Sequence, residues 1–257
     1  MKIIDTHAHY DADWFDEDRY ELIERILSDN VLAFINIGCD IDSSNFSAKL
    51  SEKYDNVYAT VGIHPEMAST VEDNYLEKLK ELCKRKKVVA IGEIGLDYHY
   101  DGYDREKQIE LFKNQILLAK ELNMPIVIHS RDATEDTMNI LRELRPAKAV
   151  MHCYSGSAET ATELVKMGIM ISFTGVLTFK NSKKAVKACE EVPIEMLMLE
   201  TDSPYMAPTG YRGQRCDSSM THVTAEKLAE IKGISKDEAI KICNDNAIRF
   251  FGLDIKA

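Results

Sequence analysis

Eight short runs of aliphatic and β-branched residues recur along the chain, and each is apolar almost throughout instead of alternating with polar positions. They lie at residues 2–6, 32–38, 57–63, 88–95, 125–129, 149–152, 169–174 and 196–201. Strands that are buried on both faces of a parallel sheet have this composition. Amphipathic segments separate the runs and predict helices, as at residues 157–167 before Gly168. Eight strands alternating with helices predict a (β/α)8 TIM barrel forming one domain over residues 1–257.

A doubly wound open sheet is the other fold that alternating strands and helices can form. Such sheets more often have about six strands, with a glycine-rich phosphate-binding loop after the first. The present sequence has eight apolar runs and no loop of that kind, which favours the barrel.

Two of the predicted helices carry further local signals. The segment at residues 104–123 has apolar residues at helical spacing with charges between them: Ile109, Phe112, Ile116 and Leu117. Near the end of the chain, Ser235 and Glu238 have the spacing of a capping box. This pair predicts a helix that begins there, continues to Phe251 and stops at Gly252.

Composition limits the compartment in which the chain is expected. Hydrophobic residues make up 45% of the sequence, which is ordinary for a globular protein. No apolar run reaches the roughly 18 residues of a conventional transmembrane helix, and the opening MKIIDTHAHY lacks the apolar stretch of a signal peptide. Six cysteines without a Cys-x-x-Cys pair predict reduced thiols in a cytoplasmic protein.

Histidines and acidic residues fall at the ends of the predicted strands. Five of the seven histidines and two acids close or follow a strand: His7, His9, His64, Glu93, His129, His152 and Asp202. In a TIM barrel the segments after the strands build the active site. The sequence therefore predicts that these side chains converge at the carboxyl ends of the strands.

His7 and His9 are separated by one residue, so both imidazoles lie on the same face of an extended strand. This spacing suits two ligands of one divalent ion. The alternative is a pair of hydrogen-bonded core histidines, but two buried imidazoles beside Asp5 are costly without a cation. The pattern therefore favours a metal site.

Glu93 stands in the apolar run VVAIGEIG, where a carboxylate stays charged only when it is paired or bound to a metal. Its two oxygens could bridge two cations, and the alternative is a salt bridge to an arginine.

His129 and His152 supply a second metal position, while Asp202 is placed to ligate a metal and accept a proton from bound water. Such ligands suit Zn, Mn or Mg, and Cys153, the nearest candidate sulfur, is expected on the opposite face of its strand.

At these motifs the sequence resembles the TatD family of metal-dependent deoxyribonucleases, in the amidohydrolase-like barrel superfamily. The matching motifs run from the first strand to the last: Asp5-Thr-His-Ala-His9, Gly62-Ile-His-Pro65, Ile91-Gly-Glu-Ile-Gly-Leu-Asp-Tyr98, Pro125-Ile-Val-Ile-His-Ser-Arg131, His152-Cys-Tyr-Ser-Gly156, Gly175-Val-Leu-Thr-Phe179 and Leu199-Glu-Thr-Asp-Ser-Pro-Tyr205. Their order and spacing together are highly specific, and the resemblance covers essentially the whole chain.

The resemblance implies a TIM barrel that uses two divalent metal ions to hydrolyse phosphodiester bonds in DNA, commonly from the 3′ end. It implies catalytic roles for Asp202 and Glu93 and six metal ligands: His7, His9, Glu93, His129, His152 and Asp202. His64, Asp97 and Arg131 match family positions near the site and are expected to contact substrate. Residues 215–219 keep the arginine of the family pattern Arg-Asn-Glu-Pro as Arg215 but differ after it, which puts substrate preference in question more than the chemistry.

Two other functions remain open at this stage. An amidohydrolase or deacylase would use similar ligands to cleave a C–N or ester bond, as in aminoacyl-tRNA deacylation. Many such enzymes bridge their metals with a modified lysine on strand four, where this chain has Glu93. The other possibility is a binding scaffold with a vestigial metal site, which the loss of a ligand would favour, and no predicted ligand is missing.

The formal net charge of −11 argues against wrapping long duplex DNA, because the long-range field repels phosphates. Two divalent ions balanced by the carboxylates of Glu93 and Asp202 would leave a net charge of about +2 at the mouth of the barrel, where the carboxyl ends of the strands lie. The expected partner is therefore a single-stranded or frayed 3′ end of DNA, with no membrane and no obligate protein partner.

Two groups of side chains bear on nucleic-acid contact. Tyr98, Tyr100 and Tyr103 follow strand four and could either stack on a base or cap the barrel wall. Four lysines follow strand seven, where a solvated helix face explains them better than a DNA contact: Lys180, Lys183, Lys184 and Lys187.

Overall fold

A computed structural model describes residues 1–255, which form eight β-strands and nine α-helices. The strands are β1 Ile3–Ala8, β2 Val31–Asn36, β3 Val57–Val61, β4 Val88–Asp97, β5 Ile126–Arg131, β6 Ala149–Met151, β7 Met170–Phe173 and β8 Leu197–Leu199. The helices are α1 Arg19–Asp29, α2 Ile41–Lys53, α3 Tyr75–Leu82, α4 Arg105–Leu122, α5 Thr134–Leu144, α6 Ala158–Lys166, α7 Lys183–Glu191, α8 Thr221–Lys232 and α9 Lys236–Phe251.

The strands belong to one parallel sheet and follow one another in chain order from β1 to β8. The backbone just beyond β8 also lies beside β1, because Ala8 forms a bridge with Ser203. A sheet whose last strand meets its first is a barrel, so the predicted TIM barrel is confirmed and the doubly wound alternative is wrong.

The barrel divides into two compact units of four strands each. The first unit comprises residues 1–36 and 152–255 and contains β7, β8, β1 and β2, while the second comprises residues 37–151 and contains β3 to β6. Within the second unit the neighbouring strands pair in parallel, for example Ile126 of β5 with Ala149 of β6. The assignment of residues 1–257 to a single domain stays a prediction.

The strands extend beyond the apolar runs where functional motifs begin. Strand β1 continues to Ala8, β4 to Asp97 and β5 to Arg131, so polar motif residues lie inside strands. Hydrophobicity alone places a boundary where the apolar residues stop, and this explains the short predictions. The structure consequently adds His7 to strand β1, and it keeps Glu93 and His129, which the predicted runs already include, on strand backbone.

The predicted helices are confirmed at both of the segments with local signals. Asp104 caps α4 by accepting the Lys107 N–H at 3.1 Å, and Ser235 caps α9 by accepting the Glu238 N–H at 3.2 Å. The apolar spacing in α4 predicts that Leu117 is buried, but Leu117 is 50% exposed, whereas its neighbour Ile116 is buried. One turn of a helix can carry more apolar residues than its packed face covers.

Two compositional predictions can be compared with the structure. All six cysteines are free thiols in the described residues, as predicted. Within residues 1–255, no helix combines the length and the apolar character needed to cross a membrane. The cytoplasmic location stays a prediction.

Candidate metal centre

The first unit brings four of the predicted ligands together, and we call His7, His9, His152 and Asp202 the first cluster. The Nε2 atoms of His7 and His9 are 3.1 Å apart. Asp202 Oδ1 lies 3.7 Å from Nε2 of His7 and 3.4 Å from Nε2 of His9. Ligands bound at about 2.1 Å to one ion lie roughly 3–3.5 Å from each other, so these donor atoms fit a divalent cation.

The backbone at the end of β1 positions this cluster. The Asp202 N–H donates to the His7 carbonyl at 2.9 Å, and the His9 N–H donates to the Ser203 carbonyl at 2.7 Å. Asp202 has a φ of 63°, a left-handed conformation that few residues other than glycine adopt. These two hydrogen bonds hold the strained residue in place, so its carboxylate stays beside both imidazoles.

Glu200 supports His152 from behind, a role that the sequence reasoning did not foresee. The His152 ring stacks on the His7 ring at 4.0 Å, and its Nδ1 lies 3.4 Å from Glu200 Oε1. Glu200 also accepts the Cys153 N–H at 2.6 Å and the Ser172 hydroxyl at 2.7 Å. The available signal was a carboxylate inside the apolar run at residues 196–201, the same signal that singled out Glu93.

The imidazoles of the first cluster lower the pKa of two acids, Asp202 and the buried Glu200. Burial raises the pKa of Asp202, but a hydrogen bond from His9 and the nearby imidazole charges outweigh it, so the pKa lies below 3.8. Burial is likewise outweighed at Glu200, where His152 lowers the pKa below 4.5. Asp5 differs, because burial raises its pKa to about 7 despite a hydrogen bond from Thr201.

The second unit brings together His64, Glu93, Asp97 and His129, which we call the second cluster. His129 lies between two acids, with Nδ1 2.8 Å from Glu93 Oε1 and Nε2 3.0 Å from Asp97 Oδ2. His64 Nε2 is 3.9 Å from Glu93 Oε1, and the His64 and His129 rings meet edge to face with centroids 4.6 Å apart. His64, Glu93 and His129 each offer an atom to one possible ion.

Gly95 permits the close approach of β4 to β5 that this geometry requires. Its φ is 151°, and a Cβ at this position would lie 1.9 Å from the His129 carbonyl oxygen. Any side chain here would therefore push β5 away from β4. The glycine thus sets the distance between Glu93 and His129.

Asp97 and Arg131 differ in exposure, although both were predicted to contact substrate. Asp97 is 4% exposed and also accepts the His99 N–H at 2.9 Å. Burial raises the pKa of Asp97, but hydrogen bonds from His129 and the His99 N–H, together with the charges of His129 and Arg131, outweigh burial and leave the pKa below 3.8. Arg131 is exposed at the end of β5, and its guanidinium donates to the Tyr100 hydroxyl at 3.3 Å. The substrate contacts of His64, Asp97 and Arg131 stay predictions.

The thiol of Cys39 contacts Glu93, one of the predicted metal ligands. Its Sγ lies 3.9 Å from Glu93 Oε2, whereas sequence reasoning had named Cys153 as the nearest candidate. The Cys153 thiol contacts the Thr174 hydroxyl at 3.4 Å. Cys39 follows β2 after Ile37 and Gly38, and no metal-binding motif in this part of the sequence pointed to it.

An open cleft of about 340 Å³ borders the second cluster at Asp97, and Tyr100 and Tyr103 are among its lining residues. Tyr98 stacks on Tyr103 at 4.6 Å and donates to Asp136 at 2.8 Å, so it packs against protein. Four acidic residues also line this cleft: Glu66, Asp97, Asp101 and Asp104. Their charge disfavours a phosphate there.

The lysines after β7 are exposed, as a solvated helix face requires. They are Lys180, Lys183, Lys184 and Lys187.

A TIM barrel whose strand ends carry clusters of imidazoles and carboxylates defines a class, the metal-dependent hydrolases built on this fold. The chain belongs to the TatD related DNase family, whose pattern matches residues 4–252. The resemblance inferred from the motifs is therefore confirmed.

Individual relatives cover nearly the whole chain. The metal-dependent hydrolase YabD of Bacillus subtilis is 42% identical over 254 residues, covering 98% of this chain and all of the relative. A metal-dependent hydrolase of Methanocaldococcus jannaschii is 33% identical over 253 residues, covering 98% of this chain and 97% of the relative. The crystal structure of YjjV, a TatD homologue from Escherichia coli, superposes with a TM-score of 0.92 at 30% identity, covering 97% and 98%.

Proposed function

We propose that this chain hydrolyses phosphodiester bonds in DNA as a 3′→5′ exodeoxyribonuclease acting on single-stranded or frayed ends. The observation that carries the proposal is the first cluster, where Asp202 stays ionised among the imidazoles of His7, His9 and His152. Membership in the TatD related DNase family supports DNA as the substrate.

Two divalent ions, Zn, Mg or Mn, would be held by these clusters in our proposal. The residues that would hold them are His7, His9, Glu93, His129, His152 and Asp202. Such ions, when bound, lower the pKa of water and neutralise charge on the phosphoryl group. The described donor atoms are nitrogen and oxygen, which suit all three metals.

The protein's own groups would then bind the substrate and move the proton. Asp202, with its lowered pKa, is an acceptor at neutral pH and takes the proton of the attacking water on its carboxylate. Arg131, exposed at the end of β5, donates to a non-bridging phosphate oxygen. Asp97 holds the His129 ring, and His64 contacts the substrate phosphate.

The variant Asp202→Asn tests the role of this carboxylate. We expect kcat on 3′-labelled single-stranded DNA to fall at least about 100-fold, since the amide neither accepts the proton nor carries the ligand charge. Bound metal, measured by elemental analysis, should fall in parallel. Asp29→Asn, the same change at an exposed position on α1, is the matched control.

The same assay separates the proposed nuclease from the alternative deacylase. Labelled DNA, a carboxylic ester and an aminoacyl ester are incubated side by side, with and without chelator. Degradation of DNA from the 3′ end that stops with chelator supports the proposal. Chelator-sensitive ester cleavage without any DNA cleavage would refute it.

A further inference from the structure

Large aromatic side chains are exposed in the first unit on the segments that follow β1 and β8, and two of them, Trp14 and Tyr205, lie next to each other. Trp14 is 58% exposed and Tyr205 is 49% exposed. Their ring centroids are 6.3 Å apart with an interplanar angle of 65°. Trp14 is the only tryptophan in the chain. Exposing two such rings next to each other forgoes the large gain of burying them, which suggests that they bind a ligand.

These rings belong to the same segments as the first cluster. Tyr205 follows Asp202 by three positions, and its N–H donates to the Asp202 carbonyl at 2.9 Å. Trp14 lies in the short helix Asp13–Phe15, which begins a few residues after His9. A molecule that stacks on either ring therefore contacts a segment that also positions a predicted metal-binding residue.

The segment that carries Trp14 is held rigidly from both sides. Phe15 is fully buried, and the Arg215 guanidinium lies over its ring at 4.8 Å. Arg215 donates to the Trp14 carbonyl at 2.7 Å and to both Asp18 carboxylate oxygens at 2.7 and 2.6 Å. On the other side, Arg19 donates to the Tyr10 carbonyl at 2.5 Å. A ring presented on fixed backbone loses little entropy when it binds.

The charge around Trp14 identifies the part of a nucleic acid that it can accept. Five acidic residues surround it in the sequence: Asp11, Asp13, Asp16, Glu17 and Asp18. Arg215 is already paired with Asp18, so this segment repels a phosphate. A nucleobase is uncharged and has a flat face that stacks on an aromatic ring. Two rings are also much smaller than the roughly 1,000 Å² that a stable protein interface buries.

We propose that Trp14 and Tyr205 form a stacking subsite for a nucleobase of an unpaired DNA strand. This inference rests on the proposed nuclease function and deepens it. Bases inside a duplex are covered by their neighbours, so only an unpaired or frayed base offers a free face to these rings. The subsite therefore selects single-stranded ends next to the first cluster.

Fluorescence of the only tryptophan measures this binding without any turnover. The metal-loaded protein is titrated with a single-stranded oligothymidylate of about ten nucleotides, whose phosphorothioate linkages slow cleavage. An abasic strand of the same length and linkage supplies the same charge without bases. We expect quenching of Trp14 with the first strand and little with the second. Equal quenching by both strands would overturn the proposal.

Kinetics of Trp14→Ala and Tyr205→Ala give the second readout. For single-stranded DNA we expect KM to rise about 5–50-fold, with kcat changing less than about 3-fold. The loss in kcat/KM should exceed that on an abasic phosphodiester strand of the same length, which has no base to stack, by at least about 5-fold. Tyr20→Ala, another exposed tyrosine of the first unit, is the matched control.

The two proposals fail in different ways. If DNA is not cleaved but base-containing strands alone quench Trp14, the nuclease function is wrong and the subsite stands. If DNA is cleaved while both alanine variants keep the wild-type KM and quenching is absent, the subsite is wrong and the nuclease function stands.

Discussion

Buried acids behind the histidines organise both clusters at the scale of single residues. Glu200 contacts His152, and Asp97 contacts His129. A carboxylate that accepts from one ring nitrogen fixes the tautomer and makes the other nitrogen a stronger ligand. Neither acid needs to touch a metal to influence its affinity.

Glu200→Gln tests this supporting role. The amide retains the size of the side chain but loses the charge that faces His152, so we expect metal affinity to fall about 10–100-fold. Competition with a fluorescent chelator measures this affinity independently of activity. Glu195→Gln, an exposed site just before β8, serves as the control. An unchanged affinity would show that Glu200 serves only its other partners, such as the Cys153 N–H and the Ser172 hydroxyl.

At the scale of elements, the segment between β1 and α1 is fixed by an ion pair. Arg215, beyond β8, joins this segment through Asp18 and the Trp14 carbonyl. The hydrogen bond from Arg215 outweighs burial and lowers the pKa of Asp18 below its ordinary 3.8. Arg215, the residue of the family pattern that this chain keeps, thus has a structural partner inside the first unit.

The lowered pKa of Asp18 makes a prediction about stability and pH. A carboxyl group with a depressed folded-state pKa stabilises the protein above pH 3.8, and this contribution is lost as the pH falls through the folded-state pKa. Because the pair is partly exposed, we expect Asp18→Asn to lower the free energy of unfolding by only about 1 kcal/mol near neutral pH. Urea unfolding from about pH 6 down to about pH 3 should show this difference shrinking. A difference that stayed constant with pH would contradict the assignment.

At the scale of the whole molecule, the excess of negative charge limits which forms of DNA can bind. The sequence suggested a mouth positive by about +2, counting only Glu93 and Asp202 against two divalent ions. In the structure each cluster has a second carboxylate whose pKa is lowered, Glu200 beside the first and Asp97 in the second, so an ion in either cluster would be balanced by two carboxylates. Little positive charge is left to attract phosphates, and affinity must then come from base contacts and a few cations such as Arg131.

This charge balance predicts how activity depends on DNA form and salt. We expect a long blunt duplex to be degraded at least about 10-fold more slowly than the same sequence with frayed 3′ ends. The slope of log kcat/KM against log salt should be no steeper than about −2, since few phosphates are neutralised. Measurements on both substrates over a range of NaCl concentrations check this. Equal rates on both, or a steep slope, would contradict it.

Much of the fold and most of the candidate ligands could be predicted from the chain alone. Strand β4 shows why, because VVAIGEIG is apolar enough to mark a buried strand and its one carboxylate stands out. The pairing of His7 with His9 follows from strand periodicity in the same way. Strand ends were less accurate, since β5 continues through His129 to the polar Arg131.

Residues that act through distant partners could not be found in this way. Glu200 contacts Cys153 across 47 positions, and Arg215 contacts Trp14 across 201. Contacts between residues so far apart in the chain produce no periodic pattern in the sequence. The exposure of Leu117 and the approach of Cys39 to Glu93 also depend on which neighbours the folded chain supplies.

The barrel, the family and the set of candidate ligands follow from the order of residues, because hydrophobic periodicity and short motifs act over a few neighbouring positions. Which acids stay charged, which aromatic rings remain exposed and which arginine is already paired were decided only by the tertiary structure. Those properties depend on burial and on contacts between segments far apart in the chain, and such contacts exist only once the chain has folded.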